Sequence, residues 1–219
     1  MIKYIKSKFM KKKQIIPGTL RISEIFYSII CEGGLAGSPA IFIRLQGCLT
    51  KCKSCDVPHT WNSKTYSEMP EEEIMQQIKI IIERVAGKPW VVITGGEPLE
   101  QDIKKLLKLL RAQGFKIALE TNASIPVPYD IIDYFSYISI SPKNIIDENW
   151  FIFADEVRVV IEAPADLKTF PARYNDKDKP VYLIANKNSS ELNVCIFDFV
   201  RNHANYKMGF KLQDFWGIK

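Results

Sequence analysis

The stretch AIFIRLQGCLTKCKSC, residues 40–55, joins a run of apolar residues to three closely spaced cysteines. The run AIFIRLQG (40–47) has the length and composition of a buried β-strand. The cysteines, Cys48, Cys52 and Cys55, begin where that strand ends. In α/β folds, functional groups gather at the carboxyl ends of the parallel strands. This one stretch therefore predicts both a core strand and a site at its end.

The spacing C-x3-C-x2-C limits what the three thiolates can hold. A structural zinc ion takes four ligands, usually from paired C-x2-C motifs, and the remaining candidates here are Cys31, His59 and the distant Cys195. A Cys3His zinc site completed by His59 therefore stays open. The same spacing suits a 4Fe–4S cluster, in which three thiolates bind three irons and the fourth iron stays open to a small molecule. A disulfide framework is not expected, because the cysteine count of five is odd and the chain is predicted to be cytoplasmic.

Alternating apolar runs and amphipathic stretches predict an α/β fold. Besides residues 40–47, strands are predicted at 90–96, 116–122, 137–141, 156–161, 180–185 and 209–213, and helices at 70–86, 102–114, 129–135 and 191–203. Strands that alternate with helices form right-handed βαβ units and a mainly parallel sheet. About six units fit 219 residues, fewer than the eight of a closed barrel of ~250 residues. We therefore predict a partial, open (β/α)6-type barrel.

Polar residues and glycines follow several of the predicted strands at the point where each strand ends. Because the carboxyl ends of parallel strands meet at one edge of a sheet, we expect these residues to share a site with the cysteines. They are Gly95, Gly96, Glu97, Glu120, Ser141 and Lys143.

Composition and charge restrict the class of protein. With 47% hydrophobic and 25% charged residues, the chain is typical of a globular protein. No apolar run approaches the ~18 residues needed to cross a membrane, and no signal peptide is recognised, which predicts a cytoplasmic protein without membrane contact. The net charge of +5 comes from residues 1–14, a basic N-terminal extension with six lysines and no acid. Residues 15–219 are predicted to form a single domain with balanced charge, so no nucleic-acid partner is expected.

Taken together, these motifs resemble the radical S-adenosylmethionine (SAM) superfamily, whose signature is the cysteine triad with GGEP on the next strand. The resemblance is closest to the 7-carboxy-7-deazaguanine synthase family and runs from residue 25 to about residue 143, with a weaker match at the C-terminus. The blocks that carry it are, in order, EIFYSIICEGGLAGSPAIFIRLQGCLTKCKSCD, VVITGGEPLEQ, IALETNAS and ISISPK. Residues 15–219 would then be one radical SAM catalytic domain.

The resemblance implies a 4Fe–4S cluster on Cys48, Cys52 and Cys55, with SAM at the open iron. By the resemblance, the reduced cluster would cleave SAM to a 5′-deoxyadenosyl radical, so no side chain is expected to act as a catalytic acid or base. In the family, this radical removes a hydrogen atom from 6-carboxy-5,6,7,8-tetrahydropterin, whose ring contracts with loss of ammonia to 7-carboxy-7-deazaguanine, and the same reaction, on the route to queuosine-type 7-deazapurines, is expected of this chain. The cofactor-binding residues implied are Gly95, Gly96, Glu97, Glu120, Ser141 and Lys143.

The same resemblance assigns the pterin to Glu32, Gly33, Arg44 and Gln213. An arginine pairs bidentately with a carboxylate, and a glutamate accepts hydrogen bonds from pterin N–H groups. Arg44 lies inside an apolar strand, where an unpaired charge is costly. It is therefore expected to face either the ligand or an acid, with Glu32 or Asp56 as the candidate partner.

Three positions on the substrate side depart from the family pattern. Ile30 stands where the family has glutamine, Val57 where it has threonine or serine, and Phe215 where it has histidine. The hydroxyl missing at Val57 is one that helps to position Mg²⁺ beside the substrate in the family, and Mg²⁺ prefers oxygen ligands. The use of Mg²⁺ by this chain stays open.

Two other functions stay open at this point. One is a radical SAM activase that removes a hydrogen atom from a backbone glycine of a partner protein, and the other is a non-catalytic zinc-binding module. The blocks around Glu32 and Arg44 favour a small acidic substrate over the activase. The resemblance further implies a reductase or flavodoxin-type electron donor and a homodimer.

Overall fold

In the computed structural model of the chain, nine strands of the described residues form one sheet. The structure describes residues 18–61, 66–143, 146–169, 174, 178–186 and 189–217. The strands are β1 (Leu20–Ile29), β2 (Pro39–Leu45), β3 (Ser67–Met69), β4 (Trp90–Gly95), β5 (Ile117–Thr121), β6 (Tyr137–Ile140), β7 (Glu156–Ile161), β8 (Val181–Ala185) and β9 (Tyr206–Gly209).

The sheet is mixed but mainly parallel. Its strand order is β3-β1-β2-β4-β5-β6-β7-β8-β9. The strands β2 and β4 to β9 run parallel, whereas β1 is antiparallel to both β2 and β3. Because β3 and β9 end the order, the sheet is open rather than a closed barrel. The predicted α/β class with an open, mainly parallel sheet is confirmed.

Within the described ranges, five α-helices accompany the sheet: α1 (Glu71–Ile82), α2 (Lys104–Ala112), α3 (Trp150–Phe153), α4 (Ser190–Arg201) and α5 (Leu212–Trp216). Helix α1 starts after Pro70 with three glutamates in its first turn, where negative charge is favourable. It ends at Ile82, four residues before the predicted end. Gly114 follows α2 with a φ of +74°, the left-handed conformation that commonly terminates a helix.

Alternate residues of the parallel strands face two different layers. The outer layer is apolar and packs against the helices in one core cluster. The strand side chains in this cluster include Ile43, Ile93, Ile117, Leu119, Ile138 and Val157, and the helix side chains include Ile74, Ile78, Leu106, Leu107 and Leu110. On the inner face, Val92 and Ala118 join a smaller apolar cluster. Two residues further along the same strands come Thr94 and Glu120, which line a cavity. The inner face of these strands therefore changes from apolar to polar at the strand ends.

Two predicted elements are wrong. Residues 129–135 form no α-helix but a single 3-10 turn, Ile132–Tyr134, because Phe135 and Ser136 already lead into β6. Residues 209–213 are not a strand, since β9 ends at Gly209 and α5 begins at Leu212. The Leu212 N–H donates to the carbonyl of Cys31 at 3.1 Å instead of to a strand.

The basic extension, residues 1–14, lies outside the described residues. In the part of the chain that the structure describes, no helix is long and apolar enough to cross a membrane.

Candidate functional site

A cavity of about 640 Å³ opens on the inner face of the sheet, at the carboxyl ends of the parallel strands. Most of the site residues predicted from the sequence line it. They are Glu32, Arg44, Cys48, Cys52, Cys55, Gly95, Gly96, Glu120, Ser141, Lys143 and Gln213. Residues that are up to 181 positions apart in the chain thus border one space. Gly33 and Glu97 do not line it, and both have a different role described below.

The three cysteines lie on the loop that follows β2. The Gly47 N–H donates to the carbonyl of Thr60 at 2.7 Å, which closes the loop at its base. Burial raises the pKa of the Cys52 thiol, the charge of Lys143 opposes this, and thiolates at Cys48 and Cys55 raise it further. The three thiols and Lys143 line the same cavity. Cationic Lys143 beside them favours the thiolate form that binds iron.

The donor set fits an iron–sulfur cluster. In the described ranges, no group of three His, Cys, Asp or Glu side chains could hold a single metal ion. The three thiols instead border one cavity, which the two glycines at the end of β4 also line. Thiolates that bind three different irons of a cube do not need to meet at one point. His59, the candidate fourth zinc ligand, also lines the cavity, while its carbonyl accepts a hydrogen bond from Gln46 at 3.1 Å.

The two glycines at the end of β4, Gly95 and Gly96, are required by close backbone packing. A Cβ on Gly95 would clash with the backbone of Leu45, and a Cβ on Gly96 would clash with the carbonyl of Gly47. The Gly96 N–H donates to the Leu45 carbonyl at 3.0 Å, and the Glu97 N–H donates to the Gly47 carbonyl at 2.8 Å. The glycines therefore let the end of β4 lie directly against the start of the cysteine loop.

The Glu97 side chain points away from the cavity and is 0% exposed. Its carboxylate accepts hydrogen bonds from the Thr121 hydroxyl and the Asn122 N–H, both at 2.8 Å, and from the Leu99 N–H at 3.2 Å. Burial raises the pKa of Glu97 to about 7, because these donors are all neutral. Glu97 thus ties the end of β4 to the end of β5, and its side chain does not reach a ligand in the cavity.

Two further strand ends supply polar groups to the cavity. The Lys143 ammonium donates to the Ser141 hydroxyl at 2.9 Å, and the Ser141 N–H donates to the carbonyl of Thr121 at 2.8 Å. Asn122 donates through its side chain to the Thr50 hydroxyl at 3.1 Å. The end of β5 is thereby linked to the cysteine loop as well as to β6.

Arg44 lines the cavity but has a different partner from the ones expected. Its Nε donates to Glu24 Oε1 on the neighbouring strand at 2.8 Å, so the predicted pairing with Glu32 or Asp56 is wrong. The register of β1 and β2 places Glu24 directly opposite Arg44. The guanidinium also lies 5.8 Å from the centre of the Phe26 ring. Asp56 pairs instead with Lys211, at 2.5 Å.

The loop that carries Glu32 rests on a buried glutamate of β7. The Gly34 N–H donates to Glu156 Oε2 at 2.6 Å. A Cβ on Gly33 would clash with the same carboxylate, and the φ of Gly33, +70°, also favours glycine. Gly33 is therefore needed to let the loop approach Glu156 and does not line the cavity itself.

Arg158, which was not predicted as a site residue, lines the cavity beside this loop. Its Nε donates to Glu156 at 2.6 Å, its Nη1 to Glu120 at 2.8 Å and its Nη2 to the backbone carbonyl of Glu32 at 3.2 Å. An arginine within the apolar strand EVRVVI is the same signal that singled out Arg44. The sequence therefore contained the evidence needed to find Arg158.

Helix α5 places Gln213 at the cavity. Its Nε2 donates to Glu32 Oε1 at 3.2 Å, and its Oε1 is a buried atom without a hydrogen-bond partner among the described residues. A buried acceptor of this kind is suited to an N–H group of a ligand. Lys211, just before the helix, is buried and joins it to the cysteine loop through Asp56; no sequence pattern indicated this pair.

The three departures from the family pattern lie in different environments. Ile30 is 2% exposed and packs against Val92 and Ala118, outside the cavity lining. Phe215 is 54% exposed and lies against Phe210, also outside it. Val57 lines the cavity. The substitution at Val57 is therefore the one that changes the cavity surface directly.

Comparison with known proteins gives a consistent result. The family model described as the radical SAM superfamily matches residues 42–164. The chain is 32% identical to the 7-carboxy-7-deazaguanine synthase of Synechocystis sp., over 90% of this chain and 93% of that protein. It is 26% identical to the 7-carboxy-7-deazaguanine synthase of Prochlorococcus marinus, over 91% of this chain and 98% of that protein.

A solved structure agrees with the sequence relatives. The crystal structure of QueE from Escherichia coli superposes with a TM-score of 0.71 at 25% identity, covering 88% of this chain and 93% of that chain. The likeness therefore extends over most of both chains.

Proposed function

Because the chain belongs to the radical SAM superfamily and, within it, to the 7-carboxy-7-deazaguanine synthase family, we propose that it converts 6-carboxy-5,6,7,8-tetrahydropterin to 7-carboxy-7-deazaguanine with loss of ammonia. The chain is a radical SAM enzyme and a lyase of the queuosine pathway by its family. The observation that carries the substrate proposal is one cavity lined by the cysteine loop, the two glycines at the end of β4, and the Arg44 and Glu32 side chains.

A 4Fe–4S cluster and SAM are the cofactors of this enzyme class. The thiolates of Cys48, Cys52 and Cys55 would hold the cluster, with Lys143 as a nearby cation. When bound, the cluster and SAM supply the one-electron chemistry by which a hydrogen atom leaves the substrate. The protein needs no side chain as a catalytic acid or base for this step.

The polar groups on the strand ends would hold SAM. Gly95 and Gly96 bring backbone groups to the cavity surface next to the cysteines. Glu120 offers a carboxylate to the ribose hydroxyls, and Ser141 and Lys143, which are hydrogen-bonded to each other, offer a hydroxyl and a cation to the methionyl carboxylate or the sugar. Glu97 acts through its backbone and by fixing the end of β5.

The opposite side of the cavity would hold the pterin. Since Arg44 uses Nε for Glu24, its two terminal nitrogens can form a bidentate pair with the substrate carboxylate. The Glu32 carboxylate and the buried Oε1 of Gln213 would accept from N–H groups of the pterin ring. Burial raises the pKa of Glu32 although Arg158 opposes this, so a donor from the substrate would stabilise the charged form.

The exposed basic residues of the cysteine loop support the proposal that an acidic redox protein is the electron donor. Leu49 is 82% exposed, and the exposed Lys51 and Lys53 follow it on the same loop as the cluster ligands. A flavodoxin-type protein with an acidic rim would complement this charge. A homodimer and a cytoplasmic location stay predictions, as does Mg²⁺, for which Val57 offers only a carbonyl that already accepts from Thr60.

The test is anaerobic reconstitution with iron and sulfide, followed by incubation with dithionite, SAM and 6-carboxy-5,6,7,8-tetrahydropterin. We expect 7-carboxy-7-deazaguanine by mass spectrometry. Cys52→Ala should lose the cluster and the product. Cys195→Ala is the matched control, because Cys195 packs against the core on α4, and it should keep both.

Two results would contradict the proposal in different ways. Wild-type protein that carries a cluster and binds SAM but forms no deazaguanine would exclude this substrate. Wild-type protein that takes up stoichiometric zinc and no iron under anaerobic conditions would exclude the cofactor assignment.

A further inference from the structure

We infer that Arg158 is a positioning residue that holds the cofactor side and the substrate side of the cavity in one arrangement. The inference rests on the proposed function, since it takes Glu120 as a SAM contact and Glu32 as a pterin contact. Arg158 would itself touch neither the reacting atoms nor the cluster ligands, and would act through these two residues.

The contacts of Arg158 are those of a shared anchor. One guanidinium reaches Glu120 on β5, Glu156 on its own strand and the backbone carbonyl of Glu32 in the glycine loop, at 2.8, 2.6 and 3.2 Å. Its Nη1 also lies 3.8 Å from the Glu32 carboxylate. The three guanidinium nitrogens therefore donate hydrogen bonds to three different segments of the cavity wall.

The surroundings fix the guanidinium in this position. The Arg158 side chain is 8% exposed and its Glu156 partner is 0% exposed. Glu156 is held in turn by the Tyr137 hydroxyl at 2.7 Å and the Gly34 N–H at 2.6 Å. A side chain with this many charged neighbours at low exposure loses little further freedom when a ligand binds.

The charges do not balance within this group. One cation, Arg158, faces three carboxylates, those of Glu32, Glu120 and Glu156. The two carboxylates that line the cavity thus share Arg158 as an ion-pair partner, and Lys211 is a further cation at the cavity. Ribose hydroxyls at Glu120 and pterin N–H groups at Glu32 would each supply donors that the group lacks. Each ligand would then bind a site whose geometry depends on the same arginine, which couples the two binding events.

Lysine cannot reproduce this arrangement, because it replaces a planar fork with one point charge. In Arg158→Lys we expect the SAM Kd and the KM for the pterin to rise about tenfold each, the scale of one lost charge-assisted hydrogen bond. The matched control is Arg201→Lys, an exposed arginine paired with Asp198 on α4, which should change neither value.

The measurements separate a positioning role from a structural one. The SAM Kd comes from isothermal titration of the anaerobic holoenzyme and needs no substrate turnover. The KM and kcat come from product formation, and the urea midpoint reports stability. A lower urea midpoint in Arg158→Lys with unchanged Kd and KM would overturn the inference, as would a rise in only one of the two constants.

Two further variants keep the test decisive if Arg158→Lys does not fold. In Glu32→Gln, Arg158 neutralises Glu120 more completely, so the SAM Kd should rise by about threefold or more, although Glu32 is assigned to the pterin. Glu120→Gln should raise the KM for the pterin in the same way. A SAM Kd unchanged in Glu32→Gln, or a pterin KM unchanged in Glu120→Gln, would overturn the coupling.

Failure of the wild type to make deazaguanine would exclude the proposed reaction. The SAM Kd of Glu32→Gln would still test the role of Arg158 in that case, because it is measured without turnover.

Discussion

Glu97 and Glu156 are both 0% exposed, yet the structure moves their pKa values in opposite directions. Glu97 accepts hydrogen bonds only from neutral donors, and burial raises its pKa to about 7. Burial acts on Glu156 too, but the Arg158 guanidinium, the Tyr137 hydroxyl and the Gly34 N–H hold its pKa below the usual range. Zero exposure alone therefore does not decide the charge of a buried carboxyl, since a cationic donor such as Arg158 favours the ionised form.

The two glutamates belong to two differently built regions of the cavity. The β4 rim consists of Gly95, Gly96, Glu97, Thr121 and Asn122, and is held by backbone approach and neutral hydrogen bonds. The Glu156 floor consists of Gly33, Gly34, Tyr137, Glu156 and Arg158, and is held by side-chain charges. The rim lies beside the cluster ligands, where fixed backbone geometry is needed. The floor lies beside the proposed substrate contacts, where charge matters more.

The same substitution in both regions tests this difference most strongly. In Gly96→Ala the new methyl group meets the Gly47 carbonyl, which cannot move without the cysteine loop. In Gly34→Ala it meets the far ends of two side chains, the Tyr137 hydroxyl at 2.6 Å and Glu156 Oε2 at 3.2 Å. We expect kcat/KM to fall at least about a hundredfold in Gly96→Ala and less than about tenfold in Gly34→Ala.

Iron content and SAM Kd identify the cause of each loss. Gly96→Ala should retain less cluster after reconstitution, because the loop that carries Cys48 is displaced. Gly34→Ala should keep a full cluster. Equal losses in the two variants would show that the floor is as rigid as the rim.

The rim could be predicted from the sequence because its parts are contiguous motifs. The triad, GGEP and ETN each follow a strand, and parallel topology brings strand ends together. What the motifs did not show is that the Glu97 side chain turns away from the cavity to join β5. That orientation depends on where the Thr121 and Asn122 donors lie, and their position is set by tertiary structure rather than by the local sequence.

The floor could be predicted only in part. Gly34 and Glu156 are 122 positions apart in the chain, so no spacing rule links them. The partner of Arg44 was missed for a similar reason, since the β1–β2 register that sets Glu24 opposite it follows from pairing rather than composition. The last predicted strand failed because residues 209–213 alternate like a strand, while Leu212 docks on the glycine loop.

The pH dependence of stability gives a second test of the comparison. A glutamate releases its proton near pH 4.5 when unfolded, but Glu97 keeps it to about pH 7 in the folded chain. Between these values the folded state binds more protons, so the free energy of unfolding should fall by about 2 kcal/mol as the pH rises from 5 to 8. Glu156 acts oppositely: its stabilisation is present above the unfolded pKa and is lost as the pH falls through its lowered folded value.

Urea denaturation of the anaerobic holoenzyme at pH 5, 6, 7 and 8 measures this slope. Glu97→Gln should be less stable at pH 5, because its amide faces the Asn122 N–H, but it should show a flatter profile. Glu32, whose pKa is also raised by burial, adds to the slope in both proteins. A wild-type slope that survives unchanged in Glu97→Gln would mean that Glu97 is ionised throughout.

The smallest expected effect comes from removing the one hydroxyl group that donates a hydrogen bond to each glutamate. Tyr137→Phe removes the donor to Glu156 Oε2 at 2.7 Å, and Thr121→Val removes the donor to Glu97 Oε1 at 2.8 Å. Each should cost about 1 kcal/mol of unfolding free energy at pH 6. Because Arg158 still holds Glu156 ionised, Tyr137→Phe should keep the wild-type pH profile from 5 to 8. Thr121→Val raises the pKa of Glu97 further, so its stability should go on falling past pH 7.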